Sequence, residues 1–187
     1  GFLTVWPAGV GSVDVSNVNV RPGETRPNST IVPIGTDGSI VVESSISSDL
    51  LIDVTGYMTD RPGEGGGFSP VTAIRILDTR MSGPINPVTA ATRLSAGSTV
   101  TIPVAGVRGI PADTRAVWVN VTAVDPARSG FVTVFPGGPL PTTSTINTTA
   151  GNSAIANGAL VALRDGALSI YTDHDVHVLI DLTAIWR

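Results

Sequence analysis

The 187 residues contain no cysteine, no lysine and no glutamine. Without cysteine the chain has no disulfide framework, no thiolate zinc site and no cysteine nucleophile. Without lysine every basic side chain is an arginine, which never loses its charge and pairs carboxylates through two parallel hydrogen bonds. Charged residues of any kind are scarce, at 14% with a net charge of −4. That balance argues against a nucleic-acid partner, which selects for a basic face. No stretch approaches the roughly 20 consecutive apolar residues of a membrane helix, so membrane insertion by a helix is not expected. Gly1 opens directly on a strand-like segment with no leader-like stretch ahead of it, and the chain reads as a mature or excised piece of something longer. Neither a Gly-x-Ser-x-Gly nucleophile elbow nor a phosphate loop is present. Glutamate is scarce, which gives little material for a glycosidase carboxylate pair. No enzyme and no cofactor is expected.

What the chain has in quantity is glycine (21), proline (14) and a 42% apolar content rich in valine and isoleucine. The first two break helices, and the last favours strands around a real core. The strongest signal is internal repetition. Gly1-Phe2-Leu3-Thr4-Val5-Trp6-Pro7 returns as Gly130-Phe131-Val132-Thr133-Val134-Phe135-Pro136, and Leu51-Ile52-Asp53-Val54-Thr55 returns as Leu179-Ile180-Asp181-Leu182-Thr183. Both blocks keep their order and approximate spacing, as in a modular array. One and a half copies are therefore present. Residues 1–58 form an incomplete unit that matches the second half of the repeat, 59–67 a glycine-rich linker, and 68–187 a complete unit.

Alternation and turn signals place strands at residues 2–5, 13–20, 30–34, 39–43 and 50–57 of the incomplete unit, with a tight turn at Thr36-Asp37-Gly38. In the complete unit they fall at 74–79, 98–104, 116–124, 131–134, 144–148, 159–164, 167–172 and 176–185, with a proline- and glycine-interrupted loop at 81–91. About eight short strands with turns every 8–12 residues predict an all-β protein of sandwich units, jelly-roll-like and antiparallel.

Two further blocks, Arg75-Ile76-Leu77-Asp78-Thr79-Arg80 and then Ala116-Val117-Trp118-Val119-Asn120-Val121-Thr122, complete a pattern with the Gly-Phe-x-Thr-Val and Ile-Asp blocks. This succession resembles a β-rich repeat of secreted and cell-surface proteins of actinobacteria. The resemblance covers 68–186 as a full unit and 1–57 as a second half. It departs from the pattern where Gly56-Tyr57 becomes Ala184-Ile185. It implies an extracellular, non-catalytic module, attached to an enzyme or strung along a surface protein, and it implies no particular ligand.

Candidate sites are few. On a regular strand Asp78 and Arg80 share a face and Arg75 points the other way. These three form either a carboxylate- or sugar-binding arginine pair or a structural ion-pair lock with Asp181, which is flanked by apolar residues and needs a partner if buried. By repeat equivalence Asp53 belongs to the same lock, with its arginine on a neighbouring subunit or an upstream repeat. In the segment Asp173 to His177, Asp173, Asp175 and His177 offer metal ligands at period two, or the segment, with His174, is a polar hairpin tip; the second reading is preferred because residues 44–49 of the incomplete unit have no histidine. Trp6, Trp118 and Trp186 offer a sugar-stacking platform or core filling. Asn28, Asn120 and Asn147 head formal glycosylation sequons. The expected partner is the protein itself, as neighbouring subunits or repeats of a surface filament assembled head-to-tail through the incomplete unit. The alternatives are an adhesin-like module for cell-wall or other polysaccharide, and a fragment of a longer tandem array.

Overall fold

In a computed structural model, described for residues 1–59, 61, 67–86 and 91–187, the protein is all-β, with no helix among those residues. Two compact units divide at Gly1–Ile52 and Asp53–Arg187. The expected linker at 59–67 lies largely outside the described residues, as does part of the loop at 81–91. Gly56 comes against Leu160 closely enough that a β-carbon there would meet its Cδ2 at 2.7 Å, so the end of the expected first unit belongs by contact to the second.

The first unit holds three strands, β1 (Phe2–Pro7), β2 (Val18–Asn19) and β3 (Ile40–Ser44), in the antiparallel order β2-β1-β3. The second holds β4 (Phe68–Asp78), β5 (Ser98–Pro103), β6 (Ala116–Val124), β7 (Gly130–Phe135), β8 (Ile146–Thr148), β9 (Ala154–Ala162), β10 (Ala167–Thr172) and β11 (His177–Trp186). They form two antiparallel sheets, β5-β10-β7-β8 and β4-β11-β6-β9. Alternation places Val117, Val119 and Val121 of β6 inward, where they meet Ile180 and Leu182 of β11 and Ile102, Ile146, Leu168 and Ile170 of the other sheet in one buried core. The two-residue turn Asp165-Gly166 has both φ angles positive, 53° and 73°, the conformation that Asp-Gly accepts most easily.

The two units are built alike where their sequences repeat. The buried Thr4 and Thr133 hydroxyls donate to the carbonyls of Val15 and Thr143. The amides of Val5 and Val134 donate to Asn17 Oδ1 at 2.7 Å and Thr145 Oγ1 at 2.9 Å. Asn28 and Asn157 side-chain amides donate to the carbonyls of Asn17 and Thr145. The Phe2 amide donates to Ser45 Oγ at 2.8 Å and the Phe131 amide to Asp173 Oδ1 at 2.7 Å. Glycine opens both blocks because the chain passes too close for a side chain. A β-carbon at Gly130 would collide with the Asp173 carboxylate and the His174 ring, and one at Gly1 with Ile46. Replacing Gly130 by Ala is expected to cost about 2 kcal/mol, as overpacking of a filled site does, measured by denaturant unfolding.

Two expected strands are missing, and the repeat explains both. Residues 30–34 and 50–57 are irregular and largely exposed. Their counterparts in the second unit lie in β9 and β11. There β9 pairs only with β6, and β11 pairs only with β4 and β6. The first unit has no counterpart of β4, β5 or β6. Strand β5 edges the other sheet, so its loss leaves β10-β7-β8 intact, which is the observed β3-β1-β2. Loss of β4 and β6 removes every hydrogen-bonding neighbour of the β9 and β11 equivalents, and an isolated strand does not hold in water. The alternation at 13–20 likewise yields a strand only at Val18–Asn19.

Candidate functional site

The densest polar cluster lies on β4 and β11. Arg75 donates from Nε to Asp181 Oδ1 at 2.8 Å and from Nη2 to Oδ2 at 2.9 Å, a two-bond fork, and from Nη1 to Asp78 Oδ2 at 3.1 Å. Arg80 donates from Nε to Asp78 Oδ1 at 2.9 Å and from Nη2 to Oδ2 at 2.7 Å, and its amide adds a third bond to Oδ1 at 3.1 Å. The Asp78 side chain is 1% exposed, whereas those of Arg75 and Arg80 are 36% and 44% exposed.

The expectation that Arg75 points away from Asp78 is overturned. Leu77 pairs with Ile180 but Arg75 pairs with Asp181, so Ile76 is an extra residue on β4. Such a bulge shifts the alternation by one and brings residues three apart to the same face. Asp53 stands apart from this cluster. It is exposed, and no ion pair reaches it among the described residues.

The Arg80 hydrogen bonds, against the opposing effect of burial, hold the Asp78 carboxyl at about 2. Bonding to Asp181 raises Arg75 further. A carboxyl depressed in the fold stabilises it above its unfolded value of 3.8, and that stability is lost as pH falls through about 2. The shift corresponds to about 2 kcal/mol. Unfolding free energies measured between pH 6 and pH 2.5 should therefore fall more steeply in the native protein than in Asp78→Asn.

Asp173, Asp175 and His177 do not converge. Asp173 accepts from the Phe131 amide and faces Arg128, Asp175 accepts from the Ala96 amide at 2.7 Å, and His177 Nδ1 lies 3.1 Å from Thr79 Oγ1. No metal-ligating cluster occurs among the described residues. The segment is not a polar tip either, since His174 is 1% exposed. Its Nδ1 lies 2.7 Å from Asp173 Oδ1 and its Nε2 3.0 Å from Thr148 Oγ1. Facing a carboxylate, which only accepts, Nδ1 donates to Asp173. Burial tends to raise the Asp173 pKa, but the bonds from Phe131 and His174 and the Arg128 charge outweigh it, and the group stays below its ordinary value. This threonine–imidazole–carboxylate chain has the atoms of a nucleophilic triad, but Thr148 and His174 are both buried. No substrate carbonyl can approach the hydroxyl, and the arrangement ties β8 to the turn after β10. Burial, and then the Arg93 charge, lower His177, which lines a shallow open hollow with Arg93, Ser95 and Asp175.

The three tryptophans do not form one platform. Trp6 is buried in the first unit at 6% exposure, filling the position that Phe135 fills in the second. Trp118 and Trp186 lie on the outer face of β4-β11-β6-β9. Trp186 packs on Phe68 with ring centroids 4.8 Å apart. Trp118 crosses the cross-strand Gly158, where a β-carbon would meet the indole at 3.1 Å.

Comparison with known proteins found no family model, no curated protein and no solved structure that matches the chain. The candidate site therefore rests on the repeat itself. Its central feature, the exposed counterparts of β9 and β11, was beyond strand-by-strand reading, which takes residues 30–34 and 50–57 as strands. The signal that finds it is that residues 1–58 contain neither an Arg-Ile-Leu-Asp-Thr-Arg nor an Ala-Val-x-Val-Asn-Val-Thr block.

Proposed function

We propose that the protein is a non-catalytic structural module of the cell exterior, a repeat or subunit of a surface array whose incomplete first unit is the joining device. One observation carries this reading. Residues 50–57 have the pattern of a buried central strand, yet Leu51 is 85% and Val54 84% exposed, while Leu182, the counterpart of Val54, is fully buried. Exposed apolar segments of strand pattern mark places where another chain pairs. Extracellular placement is supported by the resemblance to surface repeats. Light scattering across a dilution series, with imaging of the particles, tests the reading. Expected are elongated particles whose mass grows with concentration, and a loss of that growth in a Leu51→Asp, Val54→Asp variant. A compact monomer at all concentrations would contradict it.

A second reading, a module for cell-wall or other polysaccharide, draws support from the outer face that carries Phe68, Trp118 and Trp186. Retention on insoluble polysaccharide, abolished by Trp186→Ala, would favour it.

A further inference from the structure

We infer that the outer face of β4-β11-β6-β9 holds a subsite for a neutral polysaccharide, in which the Trp118 indole stacks on one sugar ring and a polar row of Asn120, Asp181 and Arg75 takes the hydroxyls beside it. The inference rests on the second reading above. It names the class of sugar and moves the centre of the site from Trp186 to Trp118.

Register places these residues together. Val117, Val119 and Val121 of β6 face the core, so Trp118, Asn120 and Thr122 alternate onto the opposite face. Asn120 pairs with Gly158 of β9 on one side and with Asp181 of β11 on the other, and Asp181 pairs with Arg75 of β4. Across the sheet these form one line of glycine, amide, carboxylate and guanidinium, at strand spacings of about 4.8 Å. Trp118 stands two residues before Asn120, and its indole leans over the empty place at Gly158. A β-carbon there would stand 3.1 Å from the ring, inside the ordinary carbon contact of about 3.5–4.0 Å. A glycine inside a strand weakens it and marks a close approach. Here the approach lets the indole lie down on β9 beside Asn120, while Trp118 stays partly exposed.

The polar row has bonding capacity left over. A guanidinium carries five N–H groups. Arg75 uses Nε and one hydrogen on each Nη for Asp181 and Asp78, which leaves one hydrogen on each Nη. Each Asp181 oxygen accepts one of those bonds and keeps a second lone pair, on a side chain 21% exposed. Asn120 gives one amide hydrogen to Thr122 Oγ1 at a long 3.4 Å, and its Oδ1 accepts no bond among the described residues. Donors and acceptors side by side suit neighbouring sugar hydroxyls, each of which both donates and accepts. An apolar surface with a few placed polar groups is the make-up of a ligand site. An apolar protein patch laid on this face would instead bury the amide and the carboxylate without new partners.

Charge selects among sugars. Arg75 and Arg80 face Asp78 and Asp181, so the positive charges of the cluster are balanced within it. Each guanidinium is already forked to a carboxylate. A uronic acid or a phosphorylated sugar would meet the Asp181 carboxylate as a like charge. An uncharged ring meets only hydrogen-bonding groups and the indole.

The test is retention of the full chain on insoluble cellulose, insoluble chitin and a cross-linked polygalacturonate gel. Expected is retention on at least one of the neutral polymers, unchanged between about 0.01 M and 1 M salt, and none on polygalacturonate. Trp118→Ala should weaken it by about 30-fold, as loss of an aromatic anchor does. Trp118→Phe, which keeps a ring, should weaken it by less than about 5-fold. Asn120→Ala should cost about 5-fold, the worth of one hydrogen bond. Thermal unfolding checks that each variant is folded. If Trp118→Ala is not, Gly158→Ala, which pushes the ring off its seat, replaces it with the same expected direction. Native retention by these alanine variants, or a preference for polygalacturonate that salt removes, would overturn the inference. If Trp186→Ala abolishes retention while Trp118→Ala and Asn120→Ala leave it intact, the polysaccharide reading stands and this subsite is wrong. No retention of the native protein on any of the three would overturn both.

Discussion

Replacing Asp78 by Ala should destabilise the second unit by about 3 kcal/mol, near the lower end for breaking a buried ion pair. The Asp78 side chain is 1% exposed and accepts four hydrogen bonds from Arg75 and Arg80. Its removal takes one of three guanidinium hydrogen bonds from Arg75 and both from Arg80. The figure is not larger because Arg75 and Arg80 keep 36% and 44% of their side chains in water, which screens them once freed. For a unit of this size the loss corresponds to a fall of about 10 °C in Tm. Asp181→Ala should cost less, since its carboxylate is 21% exposed and leaves Arg75 its bond to Asp78. Equal costs for the two substitutions would mean that the cluster is not centred on Asp78.

The second large effect contrasts two isoleucines at the same place in the repeat. Ile180→Ala should cost about 3–4 kcal/mol, the transfer and cavity terms of a fully buried aliphatic side chain. Ile52→Ala should lie within about 0.5 kcal/mol of the native protein, as exposed substitutions do. Ile180 is fully buried and Ile52 is 56% exposed, although both stand in Leu-Ile-Asp. Denaturant unfolding of the two variants decides it. A large cost at Ile52 in the unassembled protein would mean that its segment already sits in a core.

How much of this was legible in the sequence differs between the halves. In the second unit the alternation of 116–124, the Asp165-Gly166 turn and the Leu-Ile-Asp block lead directly to β6, the β9–β10 turn and β11, because each strand has the neighbour its pattern requires. The partnership of Arg75, Asp78, Arg80 and Asp181 follows from the cost of burying a carboxylate. The direction of Arg75 does not, since a single extra residue, Ile76, reverses it and bulges leave no mark in composition. Burial of His174 was also hidden: Asp173, which binds its Nδ1, reads as a turn residue, and Thr148 at its Nε2 and Gly130 against its ring are distant in sequence. In the first unit, strand propensity at 30–34 and 50–57 is genuine, but a strand is a property of a pair, and the pairing strands have no counterpart among residues 1–58.

Amide hydrogen exchange of the unmodified protein in dilute solution tests that last point most directly. Residues 51–55 and their counterparts 179–183 carry nearly the same sequence and so have similar intrinsic exchange rates. With β4 and β6 on either side, 179–183 should be protected to near the global stability of the unit, by a factor on the order of 10⁴. Residues 51–55 should exchange close to the rate of an unstructured chain. Comparable protection in the two segments would contradict the account, because residues 51–55 would then have the neighbours that the incomplete unit is held to lack.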